Sequence, residues 1–246
     1  MSTAMDVNLA EQRLPVLIVT GMAKEMRLAR GPGLVSVTSG GDPIRLRQLL
    51  SEQPSAGCRT VLSFGIAGGL DPALAAGDVV VASGIVAAGN RHPAHAGLAQ
   101  WLATTLAAGG LRVTRADIAG VDAPVLDSAS KASIRRDTGA AVVDMESHIA
   151  AAFAARHGLV FAALRIVCDP AARSLPALVA NALRPDGGVD HRVVLASLLR
   201  RPGEIRALSR LASEARTSFR ALGRCGDLLG LGRGLPDLFE TLGDVA

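Results

Sequence analysis

The chain has 246 residues, of which 49% are hydrophobic, 20% charged and 2% aromatic, with a formal net charge of +4. This length suits one large domain or two small ones and is enough to enclose a sizeable core. The mean hydropathy of +0.34 and the low net charge exclude a disordered chain. No apolar run approaches the roughly 18 residues needed to span a bilayer, which excludes an integral membrane protein.

The start of the chain lacks a basic segment followed by a long apolar run, so no signal peptide is predicted and we expect a cytoplasmic protein. The three cysteines are scattered: Cys58, Cys168 and Cys225. Because they show neither a CxxC motif nor a metal-binding spacing, no disulfide framework and no zinc site is predicted. Lysine occurs only at Lys24 and Lys131. The other 24 of the 26 basic residues are arginine, which is typical of a GC-rich bacterial genome.

The first ninety residues alternate short apolar runs with helical segments. We predict strands at 14–20, 34–38, 59–64 and 79–86, and helices at 22–30 and 44–52. The third strand runs into the sequence GIAGGLDP at 65–72. We interpret this segment as a glycine-rich loop, because glycine and proline interrupt regular structure.

The middle of the chain continues the alternation. Helices are predicted at 98–108, 128–137 and 145–157, and strands at 111–119, 141–144 and 159–167. On the 128–137 helix, Lys131, Arg135 and Arg136 are predicted to lie on the solvent-exposed face. Most of the strands are continuous apolar runs, which is typical of strands covered by helices on both sides, so the predicted fold class is α/β.

From about residue 175 the pattern is helical and basic. Residues 191–224 contain eight arginines against two glutamates, a surplus that exceeds the net charge of the whole chain. Five of these arginines fall on helix faces at four-residue spacing: Arg206, Arg210, Arg216, Arg220 and Arg224. Such a face is either solvated or packed on the protein, or it contacts anionic lipid headgroups, where each basic residue contributes roughly 1 kcal/mol. Nucleic-acid binding is not expected, because aromatic side chains for base stacking are scarce.

Three polar or glycine-rich clusters each follow a predicted strand. They occupy residues 20–25, 65–69 and 144–147, the last joined by 165–169. In open α/β sheets, ligands collect at the carboxyl ends of strands. Each cluster also has a structural explanation. Glu146 would complement a helix dipole, Asp169 would cap a turn, and the glycines do not match the GxGxxG dinucleotide pattern.

Taken in order, the clusters resemble the nucleoside phosphorylase superfamily, which includes purine nucleoside phosphorylases, uridine phosphorylases and 5′-methylthioadenosine/S-adenosylhomocysteine nucleosidases. The resemblance covers residues 14–172, and its most specific parts are GIAGGLDPALAAGD at 65–78, VDME at 143–146 and RIVCD at 165–169. The DMES sequence and the arginine- and leucine-rich tail are similar to the hopanoid-associated phosphorylases, which are thought to remove adenine from adenosylhopane.

The resemblance implies a single mixed, mostly parallel twisted sheet flanked by helices, with a helical C-terminal extension. It places the α/β domain at residues 14–180 and a basic helical extension at 181–246, packed on the same domain. Because superfamily members are often oligomers, we expect a homo-oligomer and take a dimer as the first hypothesis. No metal or nucleotide cofactor is implied, although phosphate would be the co-substrate of a phosphorolytic member.

The resemblance also implies roles for single residues. Asp169 matches the aspartate that acts at purine N7, where a shared proton makes the base a neutral leaving group. Glu146 matches the glutamate that binds ribose hydroxyls, and Met145 would pack on the ribose face. Glu25 falls on the carboxylate that holds the attacking water in nucleosidases. Arg165 matches a family arginine and is interpreted as a supporting residue.

The implied nucleophile- and sugar-binding loop offers backbone N–H groups that suit an anion, and its residues are Gly65, Ile66, Ala67 and Gly68. Phosphorolytic relatives place an arginine just before this loop and a hydroxyl residue within it. This chain has Ser63 and Ile66 at those positions, so a phosphate would lose a charge partner and a donor. Ser63, Arg91 or Arg45 would have to substitute, and hydrolysis is favoured over phosphorolysis.

The leading hypothesis is cleavage of the N-glycosidic bond of an adenine nucleoside, above all adenosylhopane in hopanoid biosynthesis, to adenine and ribosylhopane or its phosphate. With six aromatic residues and no tyrosine, aliphatic side chains must form most of the walls, which suits an apolar 5′ group. A membrane-dissolved substrate would bring the enzyme to the inner membrane surface. One alternative is a methylthioadenosine/adenosylhomocysteine nucleosidase, against which the atypical tail counts. Another is a non-catalytic nucleoside- or lipid-binding relative, which would not need Glu25, Glu146 and Asp169 together.

Overall fold

The computed structural model describes residues 15–53, 57–174 and 205–233. Eight strands lie within them: β1 (Val16–Thr20), β2 (Leu34–Thr38), β3 (Thr60–Gly69), β4 (Val79–Ala87), β5 (Asn90–Pro93), β6 (Val113–Gly120), β7 (Val142–Asp144) and β8 (Val160–Asp169). The helices of the same residues are α1 (Ala23–Leu28), α2 (Pro43–Ser51), α3 (Ala96–Ala108), α4 (Ser128–Thr138), α5 (Ser147–Arg156) and α6 (Ile205–Leu228), and a 3₁₀ turn spans Leu231–Arg233.

The eight strands form one mixed sheet. β2, β1, β3, β7, β6, β4 and β5 follow one another in that order, and β8 pairs with both β3 and β4. β8 thereby closes a ring with β3, β7, β6 and β4. Among the described strands, five pairings are parallel and three are antiparallel. The predicted α/β fold with a mixed, mostly parallel sheet and flanking helices is confirmed.

Helices cover the sheet on both sides. On one side, Leu50 of α2 and Phe153 of α5 belong to a buried cluster with strand residues. On the other side, Leu102 of α3 and Leu222 of α6 belong to a second buried cluster. Because both faces are covered, consecutive strand residues such as 16–19 are each at most 1% exposed. This burial explains the continuous apolar runs in the sequence.

The glycine-rich segment that the sequence predicts as a loop is the second half of β3. Gly65 pairs in parallel with Arg165 of β8, and after a register shift Gly68 pairs with Asp169. β7 pairs with the end of the same strand on its other side. None of the three glycines Gly65, Gly68 and Gly69 has a positive φ. The loop prediction for 65–69 is therefore wrong, and these glycines serve close packing rather than a turn.

β5 is a strand that the sequence analysis does not predict. It pairs with β4 in antiparallel orientation at the edge of the sheet. Its NRHP sequence is polar and mostly exposed, so no apolar alternation marks it. A short edge strand has one side open to solvent, which explains why polar residues are tolerated there.

α6 packs on the sheet and carries part of the basic extension. Leu222 is fully buried, and Ser218 donates a hydrogen bond of 2.7 Å to the carbonyl oxygen of Val167 on β8. The opposite face of the helix exposes four arginines: Arg210, Arg216, Arg220 and Arg224. The side chain of Arg206 and the predicted domain boundary at 180 lie outside the described residues. None of the described helices is long and apolar enough to cross a membrane.

Candidate active site

A fully buried arginine lies at the centre of the site. Arg165, within β8, has no exposed surface. Its Nε donates to the carboxylate of Asp144 at the end of β7, and its Nη2 donates to Ser63 Oγ at 2.7 Å and to Ser147 Oγ at 3.2 Å. The backbone N–H of Ser147 in turn donates to Asp144 Oδ1 at 3.1 Å. The guanidinium group is therefore held by three neighbouring elements, β3, β7 and α5.

Ser63, one of the predicted substitutes for a phosphate-binding arginine, is hydrogen-bonded within this network. Its hydroxyl accepts from Arg165 and lies 3.1 Å from Ser147 Oγ. A second predicted substitute, Arg91, forms two hydrogen bonds of 2.8 Å with Asp117. The third, Arg45, is exposed on α2. The two substitutes whose contacts are seen, Ser63 and Arg91, thus already have protein partners.

Glu25 lies in the first turn of α1 and is 2% exposed. Its Oε2 accepts hydrogen bonds of 2.8 Å from the N–H groups of Gly21 and Met22, and its Oε1 accepts one of 2.9 Å from Ile66 of β3. Burial raises the pKa of Glu25, while the charge of Arg165 and the three N–H donors oppose that rise. The carboxyl group is thus fixed between two elements and binds a proton more tightly than usual.

Glu146 is the residue immediately before α5 and is 8% exposed. Its Oε2 lies 3.5 Å from Arg165 Nη2. Burial, together with the charges of Asp144 and Glu25, raises the pKa of Glu146 to about 8, against the opposing effect of Arg165. The position at a helix N-terminus also fits the helix-dipole explanation. Met145, next to it, is half-buried.

Two glycines allow these groups to approach one another. A Cβ atom at Gly21 would lie 2.6 Å from Glu146 Oε1. A Cβ atom at Gly65 would lie 2.5 Å from Arg165 Nη1 and 2.6 Å from Glu25 Oε1. A side chain at either position would therefore displace the charged groups. Arg165 Nη1 is buried, and no described residue forms a hydrogen bond with it, which leaves a buried donor beside the Glu25 carboxyl group.

Replacing Glu146 with glutamine should stabilise the protein at alkaline pH. A glutamate whose pKa is about 8 in the folded state, against an ordinary value of 4.5, binds its proton more tightly when folded. The free energy of unfolding then falls as the pH rises through that interval. Glutamine resembles the protonated form. The free energy of unfolding of Glu146→Gln should therefore match that of the wild type near pH 5 and exceed it by about 2–4 kcal/mol near pH 9. Urea denaturation at both pH values measures the difference.

The exposed Glu52, which follows α2, provides the control for this measurement. Glu52→Gln removes the same charge from a solvated position, so its free energy of unfolding should follow the wild-type pH dependence. If the free energy of unfolding of Glu146→Gln also changes with pH as that of the wild type does, the pKa of Glu146 is not raised.

Asp169 ends β8 and is 9% exposed. Both of its carboxylate oxygens lie within 3.6 Å of the position that a Cβ atom at Gly68 would take, which is ordinary van der Waals contact, so the carboxyl group packs against this glycine. A fully buried lysine, Lys131 of α4, forms an ion pair with Oδ2. Burial raises the pKa of Asp169, the charge of Lys131 opposes the rise, and Glu214 of α6 adds to it.

The prediction that Lys131 lies on the exposed face of α4 is wrong. Besides the carboxylate, its Nζ donates to the carbonyl oxygens of Asp169, Pro170 and Arg173 at 3.1, 3.2 and 3.1 Å. The turn after β8 therefore covers this side of the helix. Polar residues surround Lys131 in the sequence, so helical periodicity does not reveal its burial. The one available signal is compositional, because lysine is otherwise almost absent from the chain.

An open cleft of about 500 Å³ lies between β6 and α4. It is lined by residues 121–127 and by Ser130, none of which is a predicted site residue. The backbone N–H of Ser128 donates a hydrogen bond of 3.1 Å to Ser174 Oγ, which ties the segment after β8 to this side of the molecule. In the part of the chain that the structure describes, no group of three or more His, Cys, Asp or Glu side chains is arranged to hold a metal ion.

Six of the ten predicted site residues meet in one cluster: Glu25, Ser63, Gly65, Ile66, Glu146 and Arg165. Asp169 ends the strand that carries Arg165, four residues further on. Asp144 and Ser147 are partners of Arg165 that the sequence does not predict, although both belong to the DMES sequence.

A family model described as the phosphorylase superfamily matches residues 17–182. Because the match covers more than half of the sequence, the chain belongs to this superfamily. The superfamily resemblance inferred from the motifs is thereby confirmed. A search of curated proteins found no match.

Solved structures share the fold at low sequence identity. Futalosine hydrolase of Helicobacter pylori strain 26695 is 16% identical, with a TM-score of 0.63 over 88% of this chain and 98% of its own. A second structure is that of a 5′-methylthioadenosine/S-adenosylhomocysteine nucleosidase from Colwellia psychrerythraea 34H in complex with adenine. It is 16% identical, with a TM-score of 0.62 over 90% of this chain and 96% of its own. The Helicobacter pylori nucleosidase of the same name, with butyl-thio-DADMe-Immucillin-A, is 14% identical. Its TM-score is 0.61 over 87% of this chain and 97% of its own. At these identities the likeness establishes the fold.

Proposed function

We propose that the protein is a nucleosidase that hydrolyses the bond between ribose C1′ and the base nitrogen of an adenine nucleoside. The observation that carries the proposal is the placement of Glu25. Its buried carboxyl group and Arg165 Nη1, to which no described residue is hydrogen-bonded, both lie against Gly65, whose lack of a side chain lets them approach each other. A water molecule held between a carboxylate of raised proton affinity and a guanidinium donor is oriented and ready for deprotonation.

The proposed reaction assigns one step to each carboxyl group. As the C1′–N bond breaks, its electron pair moves to the base and positive charge develops on the ribose. Asp169 gives a proton to N7, so that adenine leaves as a neutral molecule. Glu146 accepts hydrogen bonds from the ribose hydroxyls, and these strengthen as the sugar becomes positive. Glu25 takes a proton from water while the water oxygen bonds to C1′, so nucleoside and water give adenine and the free sugar.

The charges around the sugar position favour water over phosphate as the nucleophile. Three carboxyl groups, those of Asp144, Glu146 and Glu25, act on the single guanidinium group of Arg165. The guanidinium group is already paired with Asp144, and Glu25 or Glu146 in its ionised form would repel a phosphate dianion in a buried site, where charges are weakly screened. The ammonium group of Lys131 does not compensate, because it is fully buried and its donors are taken up by Asp169 and the turn that follows it.

For the substrate we propose an adenine nucleoside with an apolar 5′ group, in the first place adenosylhopane, cleaved to adenine and ribosylhopane. The Colwellia structure holds adenine and the Helicobacter nucleosidase holds a butyl-thio compound. The open cleft between β6 and α4 has five apolar lining residues: Val121, Ala123, Pro124, Val125 and Leu126. Methylthioadenosine or adenosylhomocysteine is the second candidate, favoured by the names of two of the structural neighbours.

Adenine release from a panel of substrates tests the proposal. Adenosylhopane in anionic vesicles, methylthioadenosine, adenosylhomocysteine and adenosine are each assayed with and without phosphate. We expect release in the absence of phosphate, with the highest kcat/KM for adenosylhopane. Activity confined to the small nucleosides would favour methylthioadenosine or adenosylhomocysteine over adenosylhopane as the substrate. Strict phosphate dependence would contradict hydrolysis. If adenine is released from none of the substrates, the remaining hypothesis is a non-catalytic binding protein.

The same assay tests whether α6 contacts the membrane, which we propose because its arginines are exposed on one face. Replacing Arg210, Arg216 and Arg220 by glutamine should slow cleavage of the vesicle-borne substrate and leave cleavage of methylthioadenosine unchanged. Arg224 is kept because it donates to the carbonyl oxygen of Gly109. Equal rates on vesicles for the triple variant and the wild type would contradict the contact.

A further inference from the structure

We propose that Lys131 is a positioning residue for Asp169. It holds the carboxyl group that we assign to the purine base, and its ammonium charge sets how readily that group releases a proton. The inference rests on the role proposed for Asp169 and deepens it. Its basis is the geometry of a buried ammonium group at the end of β8.

Lys131 has four oxygen acceptors for its three N–H donors. Three are backbone carbonyl oxygens of the turn 169–173, at 3.1 to 3.2 Å, and the fourth is Asp169 Oδ2. A fully buried ammonium group is tolerated only when it is paired and hydrogen-bonded. Because the three carbonyl groups alone can accept from its three donors, these hydrogen bonds do not depend on the protonation state of Asp169.

The same contacts fix the position of the carboxyl group. Lys131 engages both Oδ2 and the carbonyl oxygen of Asp169 and so anchors this residue to α4 at two points. Oδ1 is then the oxygen that we assign to the base. The turn is also held by Arg173, whose N–H donates to the carbonyl oxygen of Pro170 at 2.8 Å and whose Nη2 donates to Glu214 Oε1 at 2.5 Å.

The charged and titratable groups that face Asp169 come from three elements and the turn. α4 contributes Lys131, α6 contributes Glu214, and Arg173 of the turn pairs with Glu214. On β8, burial raises the pKa of the neighbouring Cys168 thiol to about 12, so it stays neutral. Among these groups, Lys131 opposes the rise that burial causes in the pKa of Asp169. Without its charge, Asp169 would bind its proton more tightly and donate it less readily.

Lys131→Met, which keeps an unbranched side chain of nearly the same length and removes the charge, tests the inference in the full chain. The alkaline limb of the kcat/KM profile reports the proposed acid, and it should move to higher pH by about one unit or more. Loosening of the turn should also lower kcat by about 10²-fold with little change in KM. An alkaline limb that stays in place, whatever the activity, would overturn the inference and leave Lys131 a structural role.

Two variants serve as controls. Lys131→Arg keeps the charge, so its alkaline limb should stay where the wild type has it. Lys24→Met changes the chain's other lysine, which is exposed and lies 3.8 Å from the centre of the Phe219 ring. It should leave both kcat and the pH profile unchanged. If Lys131→Met does not fold, Lys131→Gln replaces it, because a glutamine amide still donates two hydrogen bonds to the carbonyl groups of the turn.

A second measurement needs no activity and separates this inference from the proposed function. Titration of the Asp169 carboxyl carbon by ¹³C NMR in the free protein should give a higher pKa in Lys131→Met than in the wild type. An unchanged titration overturns the inference. A raised pKa in a protein that releases adenine from none of the substrates supports the coupling of Lys131 to Asp169 and overturns the proposed function alone.

Discussion

Glu25→Gln should lower the rate of adenine release by about 10³-fold. Glutamine keeps the shape of the side chain but cannot take a proton from the attacking water. Binding of the nucleoside should change little, because the contacts assigned to Glu146 and Asp169 remain. Steady-state kinetics should therefore show the loss in kcat, with KM within about threefold of the wild type. A variant that retains the wild-type kcat would place the activation of water elsewhere.

The same variant separates hydrolysis from phosphorolysis. Removing a carboxylate next to Arg165 leaves less negative charge where a phosphate would bind. An enzyme that uses phosphate should therefore keep its activity in Glu25→Gln or bind phosphate more tightly. We expect instead a loss of similar size with and without phosphate. Activity restored by phosphate would contradict the role of Glu25 in activating water.

Folding of this variant needs its own measurement, because the Glu25 carboxylate accepts three backbone hydrogen bonds. Glutamine has one oxygen, so its amide nitrogen would face either the N–H of Ile66 or those of Gly21 and Met22. A buried donor left without an acceptor costs about 1–3 kcal/mol, and loss of a buried charge offsets part of that cost. Comparing the thermal unfolding of Glu25→Gln with that of Glu52→Gln distinguishes a missing catalytic group from a loss of structure.

Most of the sheet can be predicted from the sequence because its signals are local. Continuous apolar runs mark strands with two buried faces, and the sequences VDME and RIVCD identify Glu146, Arg165 and Asp169 as neighbours of strand ends. Pairing between distant segments is not a local signal. Residues 65–69 have the composition of a loop, yet they continue β3 because β7 and β8 supply partners on both sides.

The contacts that define the candidate site depend on the same long-range pairing. Arg165 and Ser63 are 102 residues apart in the chain, and Lys131 and Asp169 are 38 apart. Both contacts arise because β8 inserts between β3 and β4 and then turns over α4. No periodicity within α4 could indicate that a lysine in its sequence would be covered by that turn.

Asp169→Asn should lower adenine release by about 10²- to 10⁴-fold. Asparagine cannot give a proton to N7, so adenine would have to leave as an anion. The loss should therefore depend on the leaving group. 4-Nitrophenyl β-D-ribofuranoside releases a phenolate that needs no proton, so the variant should cleave it at close to the wild-type rate. Equal losses on the two substrates would contradict the assignment of Asp169 as the acid.

Asp169→Asn also leaves Lys131 as a buried charge without a counter-ion. Breaking one partner of a buried ion pair costs about 3–5 kcal/mol, and here the cost should be smaller because three carbonyl groups still hold the ammonium group. The free energy of unfolding should fall in Asp169→Asn and recover in part when Lys131→Met is added. Urea denaturation of the wild type, the two single variants and the double variant gives the coupling energy of the pair. A coupling energy near zero would mean that the turn alone holds Asp169.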